Sequence, residues 1–209
     1  MPNSLLASLS ANRLTWLPDL GLGYYPVKDS PYDGAYWDKY RAMDRTRIGD
    51  KLTAARLALV RHYAGSVAPA QIADIGIGGG RFVEEMGCHG FDVNPEAVAW
   101  LAKHGRLIDP YHQPVEVATF WDSLEHIHDP SPLMANVRRF AFISCPIFDG
   151  PGHARRSKHY RPDEHCWYFT RRGLSTFMGE LGFEMVVSNN MEQSAGREDI
   201  GTFVFRRVE

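Results

Sequence analysis

Ala73-Asp74-Ile75-Gly76-Ile77-Gly78-Gly79-Gly80-Arg81-Phe82 runs from an apolar strand through a glycine turn into the start of a helix. A turn this tight needs residues that tolerate positive φ, and glycine lets a ligand reach the backbone N–H groups at a helix N-terminus. The segment is not the dinucleotide fingerprint GxGxxG. Counted from Gly76 or from Gly78, that pattern requires a third glycine where Arg81 and Val83 stand, so a nicotinamide or flavin cofactor is not indicated.

Outward from the turn, short apolar runs alternate with helical stretches. Residues 71–76, 90–93, 115–121, 140–146, 183–188 and 202–207 read as strands. Ile48, Leu52, Ala55, Leu59 and Tyr63 follow a helical rhythm over 47–63, with Asp44 or Thr46 available as N-cap. Residues 95–104, 132–139 and 172–181 also read as helices, and Pro95 suits a first helical position because its missing N–H has no helical partner there. This alternation predicts an α/β domain with a mostly parallel sheet and helices on both faces. Residues 1–45 differ: Trp16, Tyr24, Tyr25, Tyr32, Tyr36, Trp37 and Tyr40 are interleaved with Gly and Pro and show little period. So much aromatic area must pack on something, and a strap over the core or a lid over a ligand pocket is expected, with 46–209 as the main domain.

Composition agrees with one globular domain. The chain has 209 residues, 44% hydrophobic and 23% charged, with a formal net charge of -2. That balance supplies no basic field for a nucleic-acid duplex. The three cysteines (Cys88, Cys145, Cys166) lie far apart without a CxxC pair, which indicates neither a disulfide framework nor a thiolate zinc site. Residues 1–16 carry no basic leader and no stretch approaches a membrane span, so a soluble, cytoplasmic protein without a membrane partner is expected.

Three further segments lie in order behind the glycine turn. Gly90-Phe91-Asp92-Val93-Asn94-Pro95 ends the next strand with an acid before a helix. A carboxylate there can accept from both hydroxyls of a ribose, or it can simply shape the helix N-terminus. Asp122-Ser123-Leu124-Glu125-His126-Ile127-His128-Asp129-Pro130 follows the strand 115–121, and open α/β sheets bind ligands at that carboxyl edge. Finally His165-Cys166-Trp167-Tyr168-Phe169-Thr170 leads through Leu174 to Gly182-Phe183.

Together these four segments resemble the class I S-adenosylmethionine-dependent methyltransferases, over residues 73–183. The Asp122 segment is similar to the D/E-x-x-E-H-[IV]-x-D-P stretch of the branch that holds ubiquinone-pathway catechol O-methyltransferases and small-RNA 2′-O-methyltransferases. The resemblance implies a Rossmann-like, seven-stranded sheet of order 3-2-1-4-5-7-6, its seventh strand antiparallel near 202–207. It implies S-adenosylmethionine as cofactor, with Asp74, Gly76, Gly78 and Gly80 at the methionine end and Asp92 at the ribose. Val93 and Asp122 complete that set, Asp122 bordering the transferable methyl group. One departure stands out: only Arg81 to Cys88 separates the turn from the next strand, shorter than the family carries, which leaves room for an opened sheet edge or a shifted ribose site.

Methyl transfer requires alignment of the acceptor and, for a hydroxyl, its deprotonation. His126, His165 and Asp122 are the candidate catalytic residues, either histidine serving as base. Asp122, Glu125 and His126 at i, i+3, i+4 together with His165 also form a mixed oxygen and nitrogen set suited to Mg²⁺, Mn²⁺ or Zn²⁺. Resemblance points to such a site, the alternative being a hydrogen-bonded pocket wall. Basic residues cluster over 153–161, either as a solvated loop or as a lid recognising a substrate anion. The expected activity is methyl transfer to a hydroxyl of a small molecule, nucleotide or glycan. The alternatives are an RNA 2′-O-methyltransferase using a divalent metal, with RNA engaged through the basic 153–161 loop, or a cofactor-binding module without catalysis.

Overall fold

The strand that feeds the glycine turn, β3 (Ile72–Ile75), is buried along its whole length inside a six-stranded sheet of the computed structural model, which describes residues 14–26 and 32–208. Its parallel neighbours are β4 (His89–Phe91) and β5 (Val115–Trp121), and β6 (Val137–Pro146) lies parallel to β5. Beyond β6 come β9 (Ile200–Arg207) and then β8 (Phe183–Asn189), each ladder antiparallel, giving the order β4-β3-β5-β6-β9-β8. This is the expected order without its outermost strand.

Seven strands are thus corrected to six plus a bridge among the described residues. At the open edge Gly90 N–H donates to Arg106 O (2.9 Å) and Ile108 N–H to Gly90 O (3.1 Å), a pairing that leaves only Leu107 bridged. β4 offers just three residues, and Pro110, which has no N–H, stops the run.

Side chains alternate across the strands and divide two cores. Ile72, Val117, Phe142 and Val204 pack with α2 (Arg47–Ala64), α3 (Arg81–Met86) and α4 (Pro95–Lys103) through Leu57, Val60, Val83 and Leu101. Ala73, Ile75, Phe120 and Ile143 face the other way. They meet α5 (Ser131–Ala135) and α7 (Arg171–Glu180) through Met134, Leu174 and Phe177.

One helix expectation is corrected and one short helix is added. The helix expected over 132–139 stops at Ala135, because Val137 pairs with Val115 and draws Arg138 and Arg139 into β6. The polar connection before β9 holds a short helix, α8 (Met191–Ser194). Thr46, not Asp44, caps α2 by accepting from Gly49 N–H.

Of the aromatic segment, residues 1–13 and 27–31 lie outside the described residues. The rest is more regular than its sequence reads. β1 (Thr15–Leu17) and β2 (Leu22–Tyr24) form a hairpin that pairs with β7 (Trp167–Phe169) in a second, antiparallel sheet, and α1 (Gly34–Asp44) follows. The basic stretch after β6 winds into α6 (Pro151–Arg156).

Candidate active site

At the end of β3 the chain turns through Gly76 (φ +73°), Gly78 (φ +55°) and Gly80 (φ +84°), all in the left-handed region. A Cβ on Gly76 would stand 2.6 Å from Ser123 Cβ, and one on Gly79 would overlap the Asp44 carboxylate and lie 2.8 Å from Arg41 Cα. The turn is therefore pressed between the segment after β5 and the end of α1. Asp44 Oδ2 accepts from Arg81 N–H (3.3 Å) and adds an acid at the start of α3.

Asp74 points into the domain and accepts from Thr119 Oγ1 (2.5 Å), its register partner on β5. Burial pushes its carboxyl up to about 7, against the Thr119 hydrogen bond. A carboxyl with a raised folded pKa contributes stability that is full below its unfolded value, near ~4, and is lost as pH rises. Without cofactor, stability is expected to decline on this account as pH rises through about 7. Asp74→Asn is expected to flatten that decline, and thermal unfolding over roughly pH 5–8 checks it. Equal slopes in both proteins would remove Asp74 as the cause.

Asp92 closes the other side of the turn. Its Oδ2 accepts from Ile77 N–H (2.9 Å) and its Oδ1 from Asn94 N–H (2.8 Å), while Asn94 itself caps α4. Burial raises this carboxyl and the backbone donors oppose the rise. Each oxygen keeps a second lone pair, so the helix-terminus role and a ligand role coexist here.

These groups open on one cavity of about 710 Å³ at the carboxyl ends of the strands. Asp74, Gly76, Gly78, Asp92, Val93, Asp122 and His126 all line it. Gly80 does not; it lies beneath the indole of Trp100. Tyr32, Tyr36 and Tyr40 form an aromatic wall, and Phe91 and Tyr111 flank the Asp92 end.

Asp122 sits after β5 in the left-handed region (φ +59°), its N–H held by Ser144 O (2.8 Å). Its Oδ2 accepts from Arg197 Nη1 (2.5 Å) and lies 3.5 Å from Arg56 Nη2. Burial alone would raise this carboxyl; Arg197, with Arg56 behind it, holds it below its usual value. Both guanidiniums also engage Glu192 of α8, which is fully buried and accepts from Ser144 Oγ (2.8 Å). Arg56, Glu192 and Arg197 have no sequence signal: Arg56 stands on α2 and the other two on the connection before β9, which only the fold brings together.

The structure does not bring Asp122 into the four-residue set expected for a metal. Glu125, His126 and His165 do converge, with one ligand atom of each within 4.8 Å of the others. The imidazoles of His126 and His165 meet edge to face, centroids 4.7 Å apart. The 3₁₀ turn Leu124–His126 is tied to the start of β7 by Cys166 N–H on Glu125 O (2.8 Å) and Trp167 Nε1 on Ile127 O (2.8 Å). Glu125 and His165 are buried behind the cavity wall, and both Glu125 oxygens and His165 Nδ1 have no hydrogen-bond partner among the described residues. Burial drives Glu125 well above the usual carboxylate range, with Asp122 adding to it, and drives His165 down to about 2. His126 is also lowered by burial, and its Nδ1 is 3.2 Å from Tyr32 Oη.

A parallel sheet read at its carboxyl edge, a glycine turn, and acids at the ends of three adjacent strands define a class I S-adenosylmethionine-dependent methyltransferase. The methyltransferase domain family matches residues 45–188, and the chain belongs to that family. No curated protein is similar to it at the level of sequence. Among solved structures it is similar to magnesium protoporphyrin IX methyltransferase from Synechocystis PCC 6803 with bound S-adenosylhomocysteine. That likeness has a TM-score of 0.60 and 12% identity, covering 85% of this chain and 96% of that one. It is also similar to the N-methyltransferase NodS from Bradyrhizobium japonicum WM9, with a TM-score of 0.55 and 14% identity over 79% and 99% of the two chains. The protein is an enzyme of this class and its cofactor is S-adenosylmethionine. No helix among the described residues is long and apolar enough to cross a membrane.

Proposed function

We propose that the enzyme methylates a hydroxyl of a small molecule, nucleotide or glycan, with His126 as the base. The observation that carries this reading is the His126 imidazole at the cavity wall, kept neutral by burial and in reach of the Tyr32 hydroxyl. A neutral imidazole is ready to take a proton, which a hydroxyl acceptor needs and an amine does not. A cavity of about 710 Å³ is of the size that encloses small ligands rather than a polymer. S-adenosylmethionine supplies an electrophilic methyl group when bound. The donor set fits it: Asp92 offers free lone pairs, the glycines of the turn carry no Cβ, and Asp74 adds a buried acid nearby. Asp74, the turn and Asp92 are accordingly read as the cofactor's seat, with Val93 and Asp122 beside it. Residues 1–45 are read as a cover, supported by the tyrosines of α1 on the cavity wall and by a family match that begins at residue 45.

Release of S-adenosylhomocysteine from a panel of hydroxyl and amine acceptors tests the reaction. With an active hydroxyl acceptor, kcat/KM is expected to climb with pH and level off, its midpoint below the usual imidazole value of ~6.5 because the neutral form is the active one. His126→Asn is expected to lower the rate roughly 10²- to 10⁴-fold with cofactor affinity retained. Turnover of amines alone would overturn the reading.

Glu125, His126 and His165 also fit a divalent metal, since a carboxylate and two imidazoles converge there and, among the described residues, both Glu125 oxygens and His165 Nδ1 are buried without a partner. An ion held by them would lower the pKa of a nearby hydroxyl. Full turnover in EDTA would leave His126 as a simple base. RNA is the weaker reading. In the 153–161 stretch His153, Lys158 and Arg161 already face acids, leaving Arg155 and Arg156 exposed.

A further inference from the structure

The cavity is charged unevenly across the sheet. Asp92 follows β4, at one edge, whereas Arg197 precedes β9 at the other side of β5 and β6, and Arg56 reaches the same end from α2. Arg56 spends its Nε and Nη2 on Glu192 and Asp122. Arg197 reaches both carboxylates through Nη1 alone. Among the described residues its Nε and Nη2 have no hydrogen-bond partner, and they are not among the buried polar atoms left without one, so these donors are open to solvent. A guanidinium anchored through one nitrogen and free at the other two is oriented for a second, planar oxyanion.

We propose that Arg197, backed by Arg56, receives a carboxylate carried by the methyl acceptor, so that the enzyme selects hydroxyl compounds that are also carboxylic acids. The proposal rests on the reading of this cavity as the acceptor site. Asp122 and Glu192 already balance the two guanidiniums, which favours an incoming single charge over a phosphate dianion. Tyr32, Tyr36 and Tyr40 line the same cavity, and such a wall suits an aromatic ring.

Benzoate, benzyl alcohol and phenyl phosphate are titrated by calorimetry into the full chain saturated with S-adenosylhomocysteine, and the Nε–H resonance of Arg197 is followed by NMR. Benzoate is expected to bind best, to move that resonance, and to lose about tenfold or more in affinity in Arg197→Gln. Arg197→Lys, which keeps the charge without the fork, is expected to fall between. Equal binding of benzoate and benzyl alcohol, an unmoved Arg197 resonance, or tighter binding of phenyl phosphate would each overturn the proposal. The resonance is read on the unaltered protein, so a variant that fails to fold leaves the decision intact. Failure of S-adenosylhomocysteine to bind, or its displacement by benzoate, would instead overturn the cavity reading on which the proposal rests.

Discussion

Replacing Glu192 by alanine is expected to cost about 3–5 kcal/mol of stability, which in a chain of this size is a drop of roughly 6–20 °C in melting temperature. Glu192 is fully buried and answers both Arg56 and Arg197, so its loss leaves two half-buried guanidiniums with only Asp122 between them. Ser144 Oγ loses its acceptor as well. The comparison variant is Arg206→Ala, which breaks an ion pair with Glu184 whose side chains are 60% and 51% exposed. Screening by water limits such a pair to less than about 1 kcal/mol. Thermal unfolding of the two variants checks the contrast, and similar losses in both would mean that the Glu192 network carries no special weight. Glu192→Gln, which keeps the shape and an oxygen for Ser144, is expected to lose less than Glu192→Ala.

Asp92→Ala is expected to lower affinity for S-adenosylhomocysteine at least about tenfold, since two charge-assisted hydrogen bonds to a ribose are worth ~1.5–3 kcal/mol each. A second effect adds to the first. The same carboxylate fixes Ile77 N–H on the glycine turn and Asn94 N–H before α4, so its removal also loosens the seat. Asp92→Asn keeps one acceptor oxygen and is expected to lie between alanine and the parent. Calorimetry decides, and unchanged affinity in Asp92→Ala would remove Asp92 from the ribose.

The local chemistry of this protein was legible because it is written in consecutive residues. Asp74 with its glycines, Asp92 before Asn-Pro, and the stretch from Asp122 to Pro130 each announce a strand end and a turn. Positive φ and helix caps depend on neighbours a few positions away. The core strands were equally plain, and β5 runs over the residues its apolar pattern predicts. Edges were less legible. The helix expected to run to Arg139 gave way at Val137 because pairing with β5 overrides a local helical pattern, and the outermost strand shrank to a bridge because β4 is only three residues long. The hairpin of β1 and β2 was hidden in the aromatic segment, since its partner β7 lies more than 140 residues away.

What only the tertiary structure decided is which charges meet. Read from spacing, Asp122 belongs with Glu125 and His126; in the fold its left-handed backbone turns it toward Arg56 and Arg197, and His165 takes the place beside the other two. The sequence by itself determined the class of the enzyme and which acids and glycines stand at the strand ends, because a turn and a strand end are short-range objects. The Arg56–Glu192–Arg197 cluster joins a helix before the sheet to a connection near the chain's end, and no periodicity relates positions so far apart. Buried charge must find its counterpart in three dimensions or cost several kcal/mol, and that requirement acts on the packed molecule, not on the order of its residues.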